Sequence, residues 1–309
     1  RFLFSTNSIP AMGFFISPEY LVSGRNKGPE KLITGAVLKV GKYNEVWPAM
    51  TTTDLQSGVG ASRSSDGTLR SFTSACGQSF FRGDRLGEDV NGDYFVCEPV
   101  GRLVRRSKVK YLDSGHLELS NLYENSIGEF ITSSDGNFRP VNTYTGPDGC
   151  LYVVDMYRGV IQEKSFMTPY LKQEILKSKY DKNIGRGRIY RVKRDGFSPG
   201  EKPNLLDADP ERLVASLKHP NGWWRDMAQS IIVNRRLVKL VPFLEKIVMS
   251  DPDPLARLHA LWTLRGLSRL ENEVALAALE DADERVVSAS LRTINWSPSE
   301  YSYIENIID

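Results

Sequence analysis

Two stretches of the chain run an apolar segment into a carboxylate: Tyr94-Phe95-Val96-Cys97-Glu98 and Leu151-Tyr152-Val153-Val154-Asp155. Arg82 and Asp84 precede the first, and Arg139 and Arg158 flank the second. If both strand ends face a common axis, these six side chains converge. Carboxylates and guanidiniums in one cleft suit a polyol, a carboxylate or a Ca²⁺ ion. The same residue types also build purely structural networks, with arginine forks bidentate on acids. The sequence leaves both readings open.

Other chemistry is sparse. The three histidines, His116, His219 and His259, are scattered, and no pair has the i, i+4 spacing of a helical metal site. No CxxC or CxxCH occurs, so neither a conventional zinc site nor covalent haem attachment is expected in this stretch. Three cysteines, Cys76, Cys97 and Cys150, cannot all pair within one chain. A net charge of +2 gives no field for nucleic acid or an anionic membrane. No apolar run has the roughly 20 residues of a bilayer span. Basic clusters at Arg102, Arg105, Arg106, Lys108 and Lys110, and at Arg186, Arg188, Arg191, Lys193 and Arg194, alternate with apolar residues. That alternation predicts the solvated face of an outer strand. The chain opens in a strand-like segment at Arg1 without an initiator Met, the expectation for an internal piece of something longer.

The elements that must position these groups follow from periodicity. Gly146-Pro147-Asp148-Gly149 separates two β-rich runs, with Pro at the second turn position and Gly where φ must be free. Asp148 is read as a turn former. The phrase Gly92-Asp93-Tyr94-Phe95-Val96-Cys97 followed by Gly101-Arg102-Leu103-Val104 recurs as Gly149-Cys150-Leu151-Tyr152-Val153-Val154 followed by Gly187-Arg188-Ile189-Tyr190. Self-similar strand units predict β-propeller blades over residues 1–196, three or four of them, in a small or partial ring. Within the second unit, Thr168-Pro169 caps a short helix with Leu171, Ile175 and Leu176 as its apolar stripe.

After the linker 197–203 the period changes to 3.6. His219-Pro220-Asn221, Asp251-Pro252-Asp253 and Asp281-Ala282-Asp283 each open an amphipathic helix, at spacings of 32 and 30 residues. Residues 204–309 therefore read as HEAT-like helical repeats, each pair burying its face by stacking. Trp223-Trp224 reads as a plug at the seam between the two halves, with a carbohydrate-stacking platform as the other use of two indoles.

At this point the chain resembles a known family. Phe81-Arg82-Gly83-Asp84 with the 92–106 phrase, Phe138-Arg139-Pro140-Val141 with Asp155-Met156-Tyr157-Arg158-Gly159, and His219-Pro220-Asn221-Gly222-Trp223-Trp224 are similar to the membrane-bound-dehydrogenase-like haem-binding (PVC-type) proteins. The resemblance implies sugar-dehydrogenase-like blades, HEAT-like repeats and a C-terminal cytochrome c module. It further implies a periplasmic or extracellular, electron-transfer-linked protein acting on sugars or polyols. The cytochrome module, and the blades that would carry a quinone-type cofactor and a catalytic His, have no counterpart in these 309 residues. No catalytic residue is assigned. A cytochrome c module or another subunit supplying the missing blades is then the expected partner. The alternative is a non-catalytic propeller and solenoid scaffold that binds a glycan or protein. An exported protein also permits a disulfide. Cys76 and Cys97 end neighbouring strands and are expected to pair, leaving Cys150 free.

Overall fold

The computed structural model describes residues 3–14, 37–39, 45–54, 63–112 and 117–294. The chain divides into two compact units, Arg1–Ser198 and Pro199–Asp309.

The first unit holds three antiparallel sheets. Strands β1 (Leu3–Thr6), β2 (Ile9–Phe14) and β3 (Val37–Lys39) form one, in sequence order. The second contains β4 (Cys76–Phe80), β5 (Tyr94–Glu98), β6 (Leu103–Tyr111) and β7 (Leu117–Asn121) in order, and β8 (Ile131–Thr132) also pairs with β6. The third is β9 (Pro140–Thr145), β10 (Leu151–Asp155) and β11 (Arg188–Val192), with β10 in the middle. The repeated sequence phrase is thus a repeated meander: β10 pairs with β11 from Asp155↔Arg188 to Leu151↔Val192, as β5 pairs with β6 from Glu98↔Leu103 to Tyr94↔Ser107.

The expected fold, a β-propeller followed by a HEAT-like solenoid, is corrected by this topology. The sheets are small and open, none closes into a ring, and the chain is a mixed α/β protein whose sheets are followed by helices. The recurring phrase encodes a turn and a local meander. An open sheet satisfies both as well as a ring does, so self-similarity alone did not specify closure.

Sheet packing is side by side. β4 lies against β9, where Ser79 Oγ and Thr143 Oγ1 are 2.6 Å apart and Thr143 Oγ1 also donates to the Gly77 carbonyl at 3.2 Å. Gly77 has φ +58°, and a Cβ there would sit 2.0 Å from the Val141 carbonyl oxygen, so only glycine fits. β5 is buried along its whole length. Phe81, Phe95, Val104, Leu151 and Val153 share one apolar cluster across the second and third sheets.

The turn chemistry acts as expected. Asp148 Oδ1 accepts from the Cys150 amide at 3.2 Å, and Gly149 has φ +79°. Helix α1 (Pro169–Lys177) is capped by Thr168, whose hydroxyl accepts from the Leu171 amide at 3.2 Å. It buries Leu171 and Ile175 but leaves Leu176 exposed.

The second unit comprises α2 (Pro210–Ser216), α3 (Gly222–Asn234), α4 (Val241–Ser250), α5 (Pro254–Gly266), α6 (Asn272–Ala277) and α7 (Glu284–Thr293). Helix α5 packs between α3 and α7, with α4 against α5. Ala228, Ala256 and Ala260, all fully buried, let these helices approach closely. Three caps repeat one geometry: Asn221, Asp253 and Asp283 each accept from the amide two residues on, at 2.9 Å. Arg257 forks onto Asp281, with both contacts at 2.7 Å, and so ties one cap to the next. Trp224 is buried in this unit's own core, stacked on His219 at 4.7 Å, with Trp223 edge-on at 6.1 Å. No helix among the described residues is long and apolar enough to cross a membrane.

Candidate functional site

The strand-ending acids occupy equivalent places and do equivalent work. Glu98 is fully buried and accepts from three backbone amides: Thr73 at 2.9 Å, Ser74 at 2.8 Å and Val100 at 3.1 Å. Asp155 Oδ1 accepts from Arg139 and Tyr157, both at 2.7 Å. In each repeat the acid binds the amide two residues downstream and the backbone just before the first strand of its own meander. Asp155 Oδ2 is buried with no hydrogen-bond partner among the described residues. Burial pushes the Glu98 carboxyl up to about 7, against the downward pull of the Ser74, Thr73, Val100 and Gly101 amides.

Arg139 reaches the same end of the sheets and is completely buried. Its guanidinium donates to the carbonyls of Pro99 at 2.9 Å, Gly159 at 2.8 Å and Arg158 at 3.2 Å, and to Asp54. Asp54 also receives Arg102 on both oxygens at 3.0 Å. Burial raises the Asp54 carboxyl, but Arg139 and Arg102 outweigh it and hold it below the usual carboxylate range. Arg158 contributes its carbonyl, and its side chain is exposed.

Four of the six expected site residues, Glu98, Arg139, Asp155 and Arg158, therefore gather at one end. Arg82 and Asp84 do not. The Gly92 amide donates to the Phe81 carbonyl at 2.8 Å and the Phe81 amide to the Asp93 carbonyl at 2.9 Å beside the start of β5, and Asp84 lies against Gly149 at the start of β10. That is a strand length, roughly 13 Å, from Glu98. Arg82 donates its amide to Thr145 Oγ1 at 3.0 Å, and Asp84 pairs with Arg85 at 3.5 Å. His116 lies outside the described residues.

A cleft of about 700 Å³ opens at the Glu98–Arg139 end. Asp54 and Arg139 lie in its floor, while Asn7, Thr73, Ser74 and Gln162 supply amides and hydroxyls. Leu171, Ile175 and Phe166 supply apolar wall, and Phe166 is 55% exposed.

A Ca²⁺ ion does not fit this donor set. It needs six to eight oxygens, yet Glu98 faces amide donors and Asp54 is held between two guanidiniums. No group of three or more metal-ligating side chains occurs among the described residues.

The first basic cluster keeps the expected wet face at Lys108 and Lys110, which are exposed, but departs from it at its arginines. Arg102 and Arg105 are buried, Arg106 is 9% exposed, and their acids are Asp54, Glu129 and Asp93 respectively. Asp54 and Glu129 come from other segments and Asp93 from the residue before the paired strand β5, so alternation along β6 could not reveal them. Asp54 and Phe166 escaped the sequence reading altogether. Arg102 carried a signal, the Gly-Arg start common to both repeats, which was read only as a strand marker.

Cys76 and Cys97 are directly opposite across β4 and β5, and both side chains enter the same apolar cluster. They stand as free thiols rather than as the expected disulfide. Burial raises both thiols, Cys76 to about 12. The thiolate that would attack an oxidant is thereby scarce in the folded chain.

No curated protein and no solved structure matches the chain. Residues 1–196, well over half of its length, match a domain of unknown function, DUF7133, and the chain belongs to that family.

Proposed function

We propose that the first unit is a non-catalytic binding module for a neutral glycan or polyol, part of an extracytoplasmic, electron-transfer-linked protein. The binding half of the reading is supported by one observation. The carboxylates at this end of the sheets are spent on structure, the expected Glu98 and Asp155 on backbone amides and the unforeseen Asp54 on two arginines. What the cleft offers a ligand is the uncharged set of Asn7, Thr73, Ser74 and Gln162 beside an exposed Phe166. Hydroxyls and amides beside an aromatic face suit a sugar ring, whose polar edge and apolar face need both. The setting is supported by the resemblance to the dehydrogenase-like haem-binding proteins.

Isothermal titration of the chain with cello-, manno- and malto-oligosaccharides and with mannitol tests it. Saturable binding is expected for at least one probe. Phe166→Ala should weaken it about fivefold, the size of one aromatic contact of about 1 kcal/mol. Absence of binding across the panel would refute the binding reading. Reduction of an artificial electron acceptor by the chain with any of these sugars would refute the non-catalytic one.

A further inference from the structure

The two meanders are built alike up to their third strand and then differ. The outer edge of β6 is covered by β7, from Ser107↔Asn121 to Tyr111↔Leu117, and by β8 at Leu103↔Thr132 and Val104↔Ile131. The equivalent strand β11 pairs with β10 on one side and, among the described residues, with nothing on the other. Residues 184–191 are all exposed, Ile189 at 70% and Ile184 at 66%. In an antiparallel ladder every second residue of an edge strand turns both its N–H and its C=O away from its partner. β11 therefore presents a row of unmatched backbone groups beside exposed apolar side chains. Such an edge can accept an added strand.

We infer that β11 docks an extended, alternating acidic and apolar segment of another protein. The covered repeat shows the chemistry that suits the position. β7 reads Leu-Glu-Leu-Ser-Asn, and its Glu118 stands opposite Lys110 of the basic strand β6. β11 and its flanks carry five basic residues between 186 and 194 and no acid. Arg191 and Arg194 are engaged by Asp148 and Asp89, and Arg188 lies over the Tyr157 ring. Arg186 and Lys193 are exposed and have no acidic partner among the described residues. Opposite charges facing across a strand pair stabilise it, and like charges do the reverse. A second copy of this chain, pairing edge to edge, would set arginines and lysines of the two β11 strands against each other, which disfavours self-association.

The probe is a fluorescein-labelled peptide, LELELTLE, with LKLKLTLK as its charge-reversed twin, followed by fluorescence anisotropy on the full chain. The acidic peptide should bind, more weakly as salt rises, and at least about tenfold more tightly than its twin, a gap of about 1.4 kcal/mol. Hydrogen exchange should show added protection at alternate amides of 188–192. The double variant Arg186→Glu with Lys193→Glu leaves every ion pair named above in place. It should reverse the preference between the two peptides. The inference is overturned if the acidic peptide does not bind, or if it binds without protecting β11. Concentration-dependent dimerisation that protects the same amides would likewise overturn it, since the occupant would then be a second copy.

Discussion

Glu98 offers the sharpest test, because two opposed effects act on one carboxyl and their balance sets the direction of a pH response. Burial favours the neutral acid, while the amides of Thr73, Ser74 and Val100 favour the carboxylate. Burial wins, moving the group from an ordinary 4.5 to about 7. A carboxyl raised on folding contributes most below its unfolded pKa, where both states are protonated. Between 4.5 and 7 the unfolded chain ionises and the native one resists, so stability falls as pH rises through that window and levels above it. Between pH 5 and pH 8 the loss is about 2.5 kcal/mol at 1.36 kcal/mol per pKa unit. Glu98→Gln cannot titrate. Its amide oxygen can still take the Thr73 and Ser74 amides, but its NH₂ then meets the Val100 amide donor to donor, which costs about 2 kcal/mol. Urea denaturation followed by hydrogen exchange of 94–107 should therefore show Glu98→Gln clearly less stable than wild type at pH 5. The gap should close or invert at pH 8. Parallel pH profiles for the two proteins would refute the reasoning. So would a wild type that gains on the variant as pH rises, since the amides would then be holding the carboxylate low.

Three further outcomes follow from the same packing. Asp54→Asn strips the one carboxylate that, among the described residues, pairs with both Arg102 and Arg139, and so leaves two buried guanidiniums uncompensated; the first unit should lose about 3–5 kcal/mol in urea titration. Cys76 and Cys97, facing each other in the β4–β5 ladder, should cross-link when the chain is refolded with diamide. Peptide mapping should find that bond without Cys150, and it should raise stability by about 3 kcal/mol, whereas a Cys150-containing bond would contradict the register. Trp224→Ala removes an indole that is 2% exposed in the helical core and should cost about 3–5 kcal/mol, read as a lowered melting transition of the helical unit.

What could be read from the sequence was local. The Gly146–Gly149 turn, the Thr168 cap and the caps at Asn221, Asp253 and Asp283 each depend on residues two or three apart, and each appears where its chemistry requires. The repeated phrase was legible as a repeat, and its two acids as equivalent, because strand, turn and acid are contiguous. Ring closure was not legible. It depends on how separate sheets meet, and nothing in a meander of three strands encodes that. The site was half legible for the same reason. Glu98 and Asp155 declared themselves through the repeat and Arg139 by its place ahead of the second strand, but Asp54 lies in Thr-Thr-Asp with no periodicity around it and is recruited across 48 residues to Arg102 and 85 to Arg139. Arg82 and Asp84 stand apart from the site because proximity in a motif is not proximity at a strand end: β5 separates them from Glu98 by its whole length.

The same phrase yields buried arginines in one repeat and exposed ones in the other, and the difference lies in the acids that meet them: Asp93 within the first copy, where the second has Cys150, and Glu129 and Asp54 outside it. Arg105 and Arg106 can leave water because Glu129 and Asp93 meet them, and Arg102 because Asp54 does. Their neighbour strands β7 and β8 come from residues 117–132, the segment that follows β6 directly. After β11 the chain turns at Arg194–Phe197 and leaves for the helical unit, so no such segment follows. A guanidinium without a buried carboxylate stays hydrated, since its desolvation would cost several kcal/mol. The exposure of β11 is thus the consequence of a missing cover rather than of its own composition, which is as apolar at Ile189, Tyr190 and Val192 as an interior strand of a sheet. Supplying an acidic, apolar strand from outside would give the second repeat the environment that the first one makes for itself.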